Sequence, residues 1–376
     1  MVEADRILLG GTASLIGGID APSDLFPSGA SGGATITAHE SLTLGARGVI
    51  STGSQGESPA GSININLNEN AALIMQPGSL IEATASGTGQ GGGIAISGGD
   101  VTITGGTVSA ETFAGGRGGK IEIDTGQMIL NNDGEITTKA GSSGGGGRIK
   151  VKADVIELRN GGQISAVSTG SGNAGNLRIT AQDELVLDRG VISTSALQAG
   201  GGRITIQVGK LIDLQKSLIA SSVFQDTGNA GDIRIDPDFL VLDDSQILAQ
   251  AVAGSGGDIR IVADHLVLSP DSLINAEAGE AGVDGTVATS EPAVDLASAL
   301  VVLAAPLLDA DSLLREPCAA RQDVGTSSFI GVGRGGLPAA PDRPLGSAYR
   351  SAEAQAAAGA TSIRPAALRL PCSSTH

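Results

Sequence analysis

The pentapeptide GDIRI occurs twice, at Gly231 to Ile235 and again at Gly257 to Ile261, 26 residues apart. A catalytic motif has no reason to recur at so short a range, whereas a structural unit stacked on its neighbour does. The pentapeptide belongs to a longer series. A glycine opens a G-x-I-x-I-like stretch at Gly32, Gly61, Gly92, Gly119, Gly147, Gly175, Gly202, Gly231 and Gly257, and Gly285 opens an incomplete further copy. Successive openings lie 26 to 31 residues apart, and a period of that size is the signature of a solenoid.

Each unit holds three short segments in which apolar and polar residues alternate, for example NLRIT, ELVLD and GVISTS in the unit opened by Gly175. Such alternation signals strands, and no segment carries the i, i+3, i+4 spacing of an amphipathic helix. The third segment aligns best. One column reads Ile50, Ile81, Val108, Ile136, Ile164, Ile192, Ile219, Ile247 and Ile274. Two residues later a second column reads Thr52, Ala83, Ala110, Thr138, Ala166, Thr194, Ser221, Ala249 and Ala276. Constant columns of one large and one small residue are expected where strands of successive coils pair in parallel. The large column then fills the interior and the small one a narrow corner.

The predicted fold is therefore all-β: a right-handed parallel β-helix with three strands per coil and about ten coils of about 28 residues. At a strand spacing of about 4.8 Å, ten coils make a rod roughly 45 to 50 Å long. Glycine-rich connectors such as STGSQGESPAG and AGSSGGGG vary in length and are expected outside the stack.

The rhythm stops after Thr289, so residues 1–289 are read as the β-helix. Residues 290–346 begin with the Leu- and Ala-rich run EPAVDLASALVVLAAPLL and suit a short cap over the open end. Residues 347–376 form an Ala-rich tail expected to be flexible and disordered.

Composition narrows the function. Tryptophan is absent, tyrosine occurs once and aromatics make up 2 %, which leaves little material for the aromatic walls of an enzyme site. Lys and Arg number 23 against 40 Asp and Glu, a net charge of −17. That charge repels phosphate backbones and argues against a nucleic-acid partner. From residue 290 onward seven Arg face eight acids, so the acidity belongs to the coils. The longest apolar run, Leu296 to Leu308, spans 13 residues and contains Pro306, too short for a bilayer, so no membrane insertion is expected. The N-terminal MVEADRILLGG lacks the pattern of a secretory signal.

Few positions could carry chemistry. Before the second strand one column reads Glu40, Ala71, Gly99, Gly126, Asp154, Asp183, Lys210, Asp238 and Asp264. Asp154 with Asp183, and Asp238 with Asp264, would lie about 5 Å apart on adjacent coils. Such pairs could hold calcium or serve as acid and base in a β-helical polysaccharide lyase or hydrolase. Alternatively, Asp turns the chain there by bonding its own backbone, and the interruptions at Gly126 and Lys210 favour the turn.

On the outward side of the first strand stand Glu122, Lys150, Arg178, Arg234 and Arg260, with Asp232 and Asp258 nearby. This row could grip an anionic glycan. The net acidity favours a solvated face laced with cross-coil ion pairs. GTGQGGG, Gly87 to Gly93, precedes a strand and no helix, so the geometry of a phosphate-binding loop is missing. His39, His265 and His376 have no metal-like spacing, and no G-x-S-x-G elbow appears. No cofactor is expected.

The C-terminal segment carries a second pattern. Ser327, Ser328, Phe329, Gly333, Arg334, Gly335, Gly336, Leu337 and Pro338 spell S-S-F-x-x-x-G-R-G-G-L-P, preceded by a Leu-rich segment ending at Cys318 to Arg321. Together with the coils, this resembles the C-terminal end of filamentous-haemagglutinin-like exoproteins of the two-partner secretion type, across roughly residues 30–345. The resemblance implies a secreted or surface-exposed adhesin, exported through an outer-membrane β-barrel transporter and meeting host or neighbour-cell glycans or proteins. Two features depart from the family. Met1 falls inside a coil with no counterpart of the N-terminal signal peptide and secretion domain, and Ala339 stands where the family usually has proline.

The chain is accordingly expected to be the C-terminal part of a longer exoprotein or a truncated copy, the latter cytoplasmic if translated alone. In an exported protein Cys318 and Cys372 could form one disulfide; otherwise they are two unrelated thiols. The leading expectation is a non-enzymatic adhesin-like rod, with a β-helical polysaccharide lyase or hydrolase as the alternative.

Overall fold

The computed structural model describes residues 1–9, 14–18, 32–225, 228–280, 282–290 and 294–295. These residues form a right-handed parallel β-helix of about 28 residues per turn. The large column of the third strand stacks as expected. Ile50 pairs with Ile81, Ile81 with Val108, Val108 with Ile136, and the series continues to Ile247 with Ile274. The stack also begins ahead of Gly32. Strand Val2–Leu9 pairs with Ala34–Leu44, and Leu15 pairs with Ile50.

The third strands build a ten-stranded sheet, while the first and second strands of the coils share an eighteen-stranded one. They share it because Ala34–Leu44, Arg148–Arg159 and Leu177–Asp188 run through both positions as single long strands. Separate short segments were expected there. The pairing of Arg148–Arg159 with Leu177–Asp188 shifts register between Ala153 and Val155. A bulge of this kind re-aims a strand without ending it.

Inward residues form columns on every strand. Ile121 and Ile123, Ile149 and Val151, Ile204 and Ile206 on first strands, and Leu42, Leu73, Ile156 and Leu240 on second strands, are fully or almost fully buried. Each such side chain contributes about 1.5 to 3 kcal/mol by leaving water, and stacking of like on like makes one continuous core.

The small column has a definite neighbour. A Cβ on Gly92, Gly119, Gly147, Gly175 or Gly202 would lie 2.8 to 3.1 Å from the Cβ of Ala83, Ala110, Thr138, Ala166 or Thr194, respectively. The same Cβ would also overlap the carbonyl oxygen of the glycine that opens the preceding coil. Glycine and the small residue are thus two halves of one tight corner, and this accounts for the glycine that heads GDIRI. At two of the polar positions the hydroxyl closes the corner: Thr52 Oγ1 donates to the Gly61 carbonyl at 2.7 Å, and Thr194 Oγ1 to Gly202 at 2.8 Å.

The corner between second and third strands uses left-handed backbone. Glycine fills it at Gly78 and Gly105, but Arg47, Asn160, Arg189, Lys216 and Asp244 adopt φ of 48° to 66° there. A serine ladder fastens the following residues. Ser217 Oγ accepts the Gly190 N–H, Ser245 Oγ accepts the Ser217 N–H, and Ser272 Oγ accepts the Ser245 N–H.

At the C-terminal end, Val294–Asp295 pairs in parallel with Val267 and Leu268. The stack therefore extends into the segment expected as a cap, because these two residues continue the second-strand column. The chain divides into two units, Met1–Val302 and Leu303–His376. The second unit, with the Ser327 to Pro338 motif, Cys318, Cys372 and the Ala-rich tail, lies outside the described residues.

Candidate functional site

The four aspartates fall on adjacent coils in pairs. Val155 pairs with Glu184, so Asp154 and Asp183 flank the bulge of continuous strands. Asp264 N–H donates to the Asp238 carbonyl at 3.0 Å, stacking those two residues directly. Between the pairs stands Lys210, whose Nζ lies 2.5 Å from Asp183 Oδ1. That hydrogen bond and the charge of Asp183 raise the Lys210 pKa above the ordinary lysine value. Asp154, Asp238 and Asp264 are exposed. Among the described residues, no three His, Cys, Asp or Glu side chains gather as a metal-ligand group. His265 instead stacks on Phe239 with ring centroids 4.7 Å apart.

The outward face of the first strands is built differently. Parallel register places Glu122 beside Lys150, Lys150 beside Arg178, Arg178 beside Thr205, Thr205 beside Arg234, and Arg234 beside Arg260. Two residues earlier along the strands runs a second outward column, containing Arg148 and Arg203. Arg203 fills the coil in which Thr205 interrupts the cationic row. Every one of five successive coils therefore presents a cation.

Two adjoining open troughs of about 540 and 480 Å³ run between these side chains and share Arg178, Arg203 and Thr205. Arg203 pairs with Asp232 at 3.2 Å across coils, and Arg234 with Asp236 at 3.5 Å along its strand. Arg148, Lys150, Arg178 and Arg260 have no carboxylate within salt-bridge distance among the described residues. Asp258, two residues before Arg260, accepts at Oδ1 the Thr286 hydroxyl at 2.7 Å and the Thr286 N–H at 2.9 Å. These two bonds hold its carboxyl below the usual carboxylate range. Cross-coil ion pairs of the expected kind join Lys152 to Asp124 and Arg203 to Asp232.

Arg148 and Arg203 escaped the sequence reading because they sit at the ends of glycine-rich connectors, in GGGGRIK and GGGRIT. Their position immediately before the first inward isoleucine is the signal that could have found them. Guanidinium groups so placed can form forked, charge-assisted hydrogen bonds with carboxylate or sulfate. Comparison with protein-family models, with curated proteins and with solved structures finds no match.

Proposed function

We propose that the chain is the repeat portion of an adhesin-like exoprotein: a non-enzymatic rod, secreted or held at the cell surface, whose outward faces meet glycans or proteins of other cells. The observation that carries the reading is unbroken register. From Leu15 to Ile274 each third strand pairs with the next at the same column. Coils joined by backbone hydrogen bonds on every face and by one close-packed core resist bending, the mechanical property a stalk needs. The resemblance around Ser327 to Pro338 adds export through an outer-membrane β-barrel transporter. A lyase or hydrolase would have to draw on the stacked aspartates, and the ion pair of Asp183 with Lys210 gives that alternative less support.

Antibodies against the β-helix, applied to intact source cells, are expected to label the surface. Deleting the transporter is expected to abolish that labelling while the chain accumulates inside. Labelling that appears only after permeabilisation of transporter-competent cells overturns the reading.

A further inference from the structure

We propose that the first-strand face is a binding surface for an extended acidic polysaccharide of the polyuronate type, with the glycan lying along the rod axis. The inference names a ligand for the rod described above and rests on that reading only for its biological setting. Its physical basis is the ladder of cations, one or more per coil: Lys150, Arg178, Arg203, Arg234 and Arg260 occupy five successive coils, with Arg148 beside the first. Rungs repeat at roughly 4.8 Å, so the ladder is about 19 Å long. That repeat is close to the length of one sugar ring in an extended chain. A polymer with one carboxylate per sugar therefore spans the ladder in about five sugars, and those of its carboxylates that turn toward the sheet meet cations.

Three features select this ligand over other polyanions. Four of the cations, Arg148, Lys150, Arg178 and Arg260, have no carboxylate partner within salt-bridge distance among the described residues. A bound carboxylate therefore has no internal partner to displace at those positions. The acids Glu122, Asp232 and Asp258 sit among the cations, an arrangement that tolerates one charge per sugar better than the denser charge of a phosphate backbone. Neither trough is lined by an aromatic side chain, so bases would find no stacking platform. Each contact on an open surface is weak and salt-screened, and binding grows by summing them along the polymer.

The test uses the purified chain and oligogalacturonides of increasing length, with dextran, dextran sulfate and single-stranded DNA alongside. Affinity is expected to rise with length up to about five sugars, the span of the ladder, and to fall with salt. The double variant Arg178→Glu/Arg260→Glu is expected to weaken binding about tenfold or more, whereas Lys216→Glu, at the corner between second and third strands, changes it less than about twofold. Both variants alter exposed side chains, and unchanged melting curves confirm that they fold. No binding of the longer oligogalacturonides overturns the proposal. So does equal loss in Lys216→Glu, which would reduce the effect to net charge. Tighter binding of DNA or of dextran sulfate would assign the face to a different polyanion. Failed glycan binding with intact surface labelling removes the ligand and leaves the rod, and the converse result does the reverse.

Discussion

Gly147 and Thr138 face each other across the corner where one coil passes to the next, and a Cβ on Gly147 would lie 2.9 Å from the Cβ of Thr138. It would also overlap the Gly119 carbonyl oxygen. Backbone on backbone offers no flexible side chain that can give way. Gly147→Ala is expected to destabilise the β-helix by about 3 kcal/mol. At Gly53 an added Cβ meets only the Thr84 carbonyl, at 3.8 Å, so Gly53→Ala is expected to stay within about 1 kcal/mol of the parent. Denaturant melts of the two variants decide; equal midpoints would contradict the packing account.

Thr138 carries a second consequence. Its Oγ1 is buried without a hydrogen-bond partner, unlike Thr52 Oγ1, which donates to Gly61. Replacing a hydroxyl by a methyl removes a desolvation cost at one site and a bond at the other. Thr138→Val is expected to stabilise by about 1 kcal/mol and Thr52→Val to destabilise by about 1 kcal/mol. Shifts of the same sign in both variants would show that the hydroxyls do not differ as described.

Lys216 holds φ of 49° at a corner that other coils fill with Gly78, Gly105 or Asn160. Left-handed backbone costs most side chains more than it costs asparagine. Lys216→Asn is expected to raise stability by about 0.5 kcal/mol, seen as a higher melting temperature. A lower one would contradict the strain.

The depressed pKa of Asp258 ties stability to pH. Its contribution is fully present above the ordinary carboxylate range of the unfolded chain and is lost as pH falls through the lower folded value. Thr286→Ala removes the hydroxyl donor, so the Asp258 titration is expected to move up toward the ordinary range and acid unfolding to begin at higher pH. Carbon-detected NMR titration of the carboxyl checks this, and an unmoved midpoint would sink it.

The sequence makes the third strand legible, because a large β-branched residue followed two positions later by a small one recurs in every coil from Ile50 to Ile274. Continuity of Arg148–Arg159 is harder to see: alternation in RIKVKADVIELR breaks phase near Asp154, and a bulge and a turn leave the same trace. Val294–Asp295 offers two residues, too few for any periodicity to show. At the cationic face Lys150, Arg178, Arg234 and Arg260 are readable as a row, but Arg148, Arg203 and the state of pairing are not. Asp258 lies two residues from Arg260 in sequence, yet its carboxylate is taken by Thr286, 28 residues away.

A rod that presents a bound glycan without cutting it leaves the polymer at full length. The most direct measurement follows the chain length of polygalacturonate during prolonged incubation with excess protein, by size-exclusion chromatography. Undiminished length, with polymer retained on the protein, is the predicted result. Progressive shortening that disappears in Asp238→Asn would contradict it and give the stacked aspartates a catalytic role.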